Sequence, residues 1–133
     1  EQFAAFSSTG IGGFSRTQIA ALTTSQVASL SAAQAAGLST TQIASLDLAQ
    51  FEALSSTAIG GFTTTQISAF TIFQMSDMSP TQMQGLSATA VSILSTEQIG
   101  ALSIAQVGAF SPTQVAALSL TQVATLSPEQ VAA

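Results

Sequence analysis

Large apolar side chains recur at two places in a frame of eight residues, and polar ones recur at two others. Counting from Ser7, the first place of every octad up to Ser127 is Ser, Thr or Asp, with Asp47 the one acid. The fourth place is Gln in fourteen of seventeen units, the exceptions being Gly10, Ala58 and Ala90. Large apolar residues take the fifth place everywhere except Ala35, and the eighth is always Leu, Phe or Met. No insertion or deletion breaks the frame. Self-similarity at a fixed period defines a repeat architecture.

Each octad carries the signals that open a helix. A Ser or Thr followed three residues later by Gln is a capping box: the hydroxyl accepts from the third helical amide, and Gln reaches back to the amide of the cap. Ser39 and Gln42 form one such pair, with Leu38 and Ile43 placed as the hydrophobic staple around it. Ser7, Ser15, Ser79, Ser111 and Ser127 take the same capping place, and Asp47 does so with a carboxylate. Pro80, Pro112 and Pro128 each follow a cap directly, where a missing N–H costs a helix nothing. Glu97 and Glu129 fall in first turns, where the helix dipole favours an acid.

One continuous helix does not fit, because eight residues advance about 800° and the apolar stripe would rotate by about 80° per repeat. A β-solenoid is the alternative, since Thr, Ile, Val and Phe are strand formers. Against it, the two apolar places are three residues apart and would fall on opposite faces of a strand. The pattern therefore predicts an all-α solenoid with one helix of six or seven residues per octad. Helices so short are unstable alone and must bury both apolar places against neighbours. Gly13, Gly37, Gly61 and Gly85 recur every 24 residues, while Gly12, Gly60 and Gly108, like Phe14, Phe62 and Phe110, recur every 48. The simplest account is a coil of three helices, 24 residues long, with glycine where successive coils approach closely. The whole chain, 1–133, then reads as one tandem array. Opening in mid-octad and without Met, it reads as a processed or excised piece of a longer one.

Composition narrows function mainly by exclusion. Charged residues are only 5% of the chain, and Arg16 stands alone against six acids. That leaves no basic patch for nucleic acid. With no Cys, His or Lys, the usual general base, thiolate nucleophile and Schiff-base amine are missing, so no enzyme, cofactor or metal site is expected. Glu1, Glu52 and Asp77 are scattered, and Met75, Met78 and Met83 sit at core places as gap fillers. The glycine-rich Gly10–Gly13 has no Lys after it to cradle phosphate. No apolar run reaches the roughly 20 residues of a membrane span.

The last octad, "LSPEQVAA", resembles the helix opening of transcription activator-like effector repeats, but the base-reading pair and basic flanks of that family are absent. Over all 133 residues, tandem Leu-Ser-x-x-Gln-Ile/Val segments resemble the octad arrays of very large bacterial surface or secreted proteins. That resemblance implies a structural or adhesive role outside the cell or at its surface. The expected function is a self-assembling fibre or stalk segment, its partner being itself. Phe3, Phe6, Val123, Leu126 and Val131 would be left uncovered at the two ends and would drive end-to-end stacking. The alternative is a surface-binding module, an adhesin or a binder of ice or glycan. It would present regular Ser, Thr and Gln rows such as Thr63, Thr64 and Thr65.

Overall fold

A computed structural model describes residues 5–132, apart from the side chain of Ser8. Glu1 and Phe3, assigned above to a scattered acid and an uncovered apolar place, lie outside the described residues. Among these residues the chain forms α1 (Ser8–Gly12), α2 (Arg16–Ala20), α3 (Thr24–Ala28), α4 (Ala32–Ala36), α5 (Thr40–Ala44), α6 (Leu48–Glu52), α7 (Ser56–Gly61) and α8 (Thr64–Ser68). It continues with α9 (Ile72–Asp77), α10 (Pro80–Gly85), α11 (Ala88–Ser92), α12 (Thr96–Gly100), α13 (Ile104–Gly108), α14 (Pro112–Ala116), α15 (Leu120–Thr125) and α16 (Pro128–Val131). No described residue lies in a strand, so the β-solenoid alternative does not hold.

Most helices are shorter than six or seven residues: α7, α9, α10 and α15 have six, α16 has four, and the others have five. The reason is the way each one ends. In the last turn the bonds tighten to three residues, as where the Ala21 and Leu22 amides donate to the Gln18 and Ile19 carbonyls at 3.2 and 3.1 Å. The eighth residue of the octad is then extended, as at Leu86 (φ −65°, ψ 134°). The next cap is extended too, as at Ser39 (φ −77°, ψ 160°). Two extended residues thus make each corner, and no described residue adopts a positive φ. Glycine is not needed to stop these helices.

Every helix packs on the helix three further along, α1 on α4, α4 on α7, α7 on α10, and likewise for the other two columns. This is the three-helix coil of 24 residues. Fifth-place residues fill its axis: Ile19, Val27, Ala35, Ile43, Ile67, Met75, Met83 and Ile99 are fully buried. Eighth-place residues from Leu30 to Phe110 close the corners around the same continuous core. Phe70 bridges two coils, its ring edge-on to Phe51 at 5.2 Å and to Phe62 at 5.4 Å.

Glycine marks the closest approach of backbones. A Cβ at Gly61 would run into the carbonyl group and Cα of Ala32, and one at Gly85 would lie 2.6 Å from the Ser56 oxygen. Gly12 faces the Gly37 carbonyl in the same way, at 2.9 Å. All of these belong to the column α1, α4, α7 and α10. Gly100, in another column, has only the Thr125 methyl nearby, at 3.7 Å.

Candidate functional site

The sequence singles out caps, and each can be followed to its bonds. The Ser39 hydroxyl accepts from the Gln42 amide at 3.1 Å, while Gln42 Oε1 accepts from the Ser39 amide at 2.7 Å. Ser15, Ser79, Ser111 and Ser127 make the same reciprocal pair with Gln18, Gln82, Gln114 and Gln130. Asp47 replaces the hydroxyl with Oδ1, 2.8 Å from the Gln50 amide. Ser7 accepts from the Gly10 amide at 3.0 Å, and with no glutamine there the bond is one-sided. Replacing Ser39 by Ala should cost about 1 kcal/mol, measured as a shift of the denaturant midpoint at unchanged slope.

What the capping motif does not announce is the other half of each glutamine. Gln42 Nε2 donates to the carbonyls of Ile11 (3.0 Å), Gly12 (3.3 Å) and Phe14 (2.7 Å), 28 to 31 residues earlier. Those are carbonyls at the C-terminal end of α1, the end at which a helix has acceptors without intrahelical donors. Gln50 treats Ile19, Ala20 and Leu22 identically, and Gln82 does the same to Phe51, Glu52 and Leu54. The pattern recurs through Gln66, Gln98, Gln106, Gln114 and Gln122. One carboxamide therefore closes the start of its own helix with its oxygen and the end of an earlier helix with its nitrogen.

These side chains are buried, Gln114 at 2% exposure and Gln42, Gln50, Gln82, Gln106 and Gln122 at 3%. No buried side-chain polar atom among the described residues is left without a partner, which such burial demands. A signal for this second role exists in the sequence. A capping box accepts Glu as readily as Gln, yet no octad has Glu in the fourth place. Only the amide can donate.

Elsewhere the described surface brings little chemistry together. Asp47 and Asp77 line one groove of about 190 Å³ with Leu48, Phe51 and Phe73. No three His, Cys, Asp or Glu side chains converge among the described residues. Glu52, Glu97 and Glu129 stand apart on the surface. Arg16 donates from Nε to the Ser45 hydroxyl at 3.0 Å, a link between coils. Met75, Met78 and Met83 are core residues. No helix among the described residues is long and apolar enough to cross a membrane.

One helix per repeat, stacked in threes around a continuous core, defines an all-α solenoid of the repeat-protein class. A family model, the ALTTAQ repeat, matches residues 1–32. No curated protein and no solved structure matches the chain.

Proposed function

We propose that the chain is a structural element, a segment of a self-assembling bacterial fibre or stalk at or outside the cell surface, without catalytic activity. The observation that carries this reading is the glutamine ladder. It ties each coil to the next in a single register, and a joint so repeated serves extension along an axis. A surface rich in Ser, Thr and Ala with few charges suits lateral inertness, and the sparse chemistry of the surface gives a reactant little to engage. Electron microscopy of the purified chain should show fibres with a coil repeat along their axis, persisting at high salt because few charges contribute. Discrete monomers in sedimentation at high micromolar concentration would end the proposal.

A second reading, a binding surface for a regular ligand such as ice or glycan, has one specific observation in its favour. Thr17, Thr41, Thr65, Thr89 and Thr113 are exposed at the same helical place on α2, α5, α8, α11 and α14, one per coil of a single column. Thermal hysteresis or glycan retention would favour it over the plain fibre.

A further inference from the structure

The octad rule has exceptions, and three of them meet on one face. Phe73 is the one aromatic residue at the third place, Asp77 the one acid at the seventh, and Asp47 the one acid at the first. They belong to α6, with its cap, and to α9, neighbours in one column with α3 packed before them and α12 after. All three line the groove of about 190 Å³ already described, beside Leu48 and Phe51. We propose that this groove docks a partner protein through a segment that alternates arginine with apolar residues, one guanidinium lying on Phe73 between the two carboxylates.

The parts of the groove have no use inside the chain. The Phe73 ring is 80% exposed, and Leu48 and Ile72, at the second place of α6 and α9, are 52% and 50% exposed. The fold does not require them, since the same places hold Thr24 and Ser25 on α3 and Thr96 and Glu97 on α12. An apolar patch rimmed by polar groups marks an interaction surface. Asp47 Oδ1 accepts from the Gln50 amide as a serine hydroxyl would, but its second oxygen and the whole Asp77 carboxylate have no partner among the described residues.

Charge decides what the partner carries. Asp47, Glu52, Asp77 and Glu97 all belong to α6, α9 and α12 of this column, while the single cation, Arg16, lies on α2 in another column and is bonded to Ser45. A second copy would set the same acids against each other, and an anionic lipid or nucleic acid would be repelled likewise. Arginine suits the groove, because a guanidinium stacks on an aromatic face and forks to carboxylates. The volume is below the roughly 300 Å³ at which pockets for whole small ligands begin. It accepts a side chain, with the apolar residues of the segment lying along Leu48 and Ile72. The inference goes beyond the fibre reading, since it needs only residues 44–77 and holds whether or not chains assemble.

The test is the fluorescence anisotropy of a labelled, end-blocked hexapeptide of alternating arginine and leucine, titrated with the full chain. Binding should saturate and should weaken as salt is raised, where fibres should persist. Phe73→Thr installs the residue that Thr65 and Thr81 supply in the flanking octads, so the melting curve should stay that of the parent while the dissociation constant rises about tenfold. Asp77→Ala, after Ala69 in the preceding octad, should raise it about threefold. Glu129→Gln removes one charge from another column and should leave it unchanged. Glutamate for arginine in the peptide should abolish binding, and alanine for leucine should weaken it. If Phe73→Thr has no effect, or Glu129→Gln costs as much as Asp77→Ala, the groove is not the site and only the general attraction of an acidic chain is left. Equal binding by free arginine amide would overturn the partner segment. Lateral self-association that Phe73→Thr abolishes, with no peptide bound by the parent, would assign the groove to a second copy and end the proposal.

Discussion

Replacing Gln82 by Glu should unfold or nearly unfold the middle of the array at neutral pH, at a cost of about 3 to 5 kcal/mol. The two side chains have the same shape, and a Glu oxygen still accepts from the Ser79 amide, 2.9 Å from Oε1 in the parent. What changes is the atom facing the carbonyls of Phe51 and Leu54, each 2.9 Å from Nε2. A donor becomes an acceptor, at a position 3% exposed. The neutral acid can still donate one proton there, so the introduced carboxyl has its pKa raised by the fold. A raised pKa means that the variant is relatively most stable below the ordinary carboxylate range and loses stability as pH rises through the folded value. Gln82→Leu, by contrast, should cost several kcal/mol at every pH, because it orphans the Ser79 amide and the earlier helix end alike. Denaturant unfolding of both variants at acidic and neutral pH checks the pair. A Glu variant as stable as the parent at neutral pH would show that the ladder is incidental.

Gly61→Ala should be nearly as damaging, although it adds one methyl group and improves helix propensity. The new Cβ would overlap the Ala32 backbone, which cannot swing aside as a side chain end could. The helices α4 and α7 must separate, opening the core around Ile59 and Ala35, both buried. A loss on the order of 3 kcal/mol is expected, within the range of overpacked cores. Gly100→Ala is the control. Its Cβ meets only the Thr125 methyl at 3.7 Å, so it should gain about 0.5 to 1 kcal/mol. Melting temperatures moving in opposite directions for the two variants would establish that coil spacing, and not helix propensity, sets the glycine column.

These two predictions also mark what the sequence discloses and what it withholds. Ser39 and Gln42 announce a helix start because the bonds between them are local, three residues apart. The coil of three helices is legible as well, since Gly61 and Gly85 repeat at its period. Less legible is helix length, which depends on how soon the last turn tightens, as at Ala21 and Leu22. The donor half of Gln42 is hidden for a plainer reason. Its acceptors are main-chain carbonyls of Ile11 and Phe14, and a carbonyl carries no residue signature. Only the absence of Glu from the fourth place hints at it. The exposed apolar residues, Phe73 at 80% and Leu120 at 91%, are unremarked by the octad rule, which does not specify its second and third places.

A consequence of the glutamine ladder concerns how such a chain finds its structure. The bonded partners are 28 to 31 residues apart at every step, whatever the total number of coils. Loop-closure entropy depends on that separation and grows only with its logarithm, so each added coil meets the same modest closure cost as the one before it. Relative contact order falls as the array lengthens, since mean separation is constant and length is not. A longer array of this kind has no intrinsically slower search per coil than a short one, and ordering can start at any coil and spread to both neighbours.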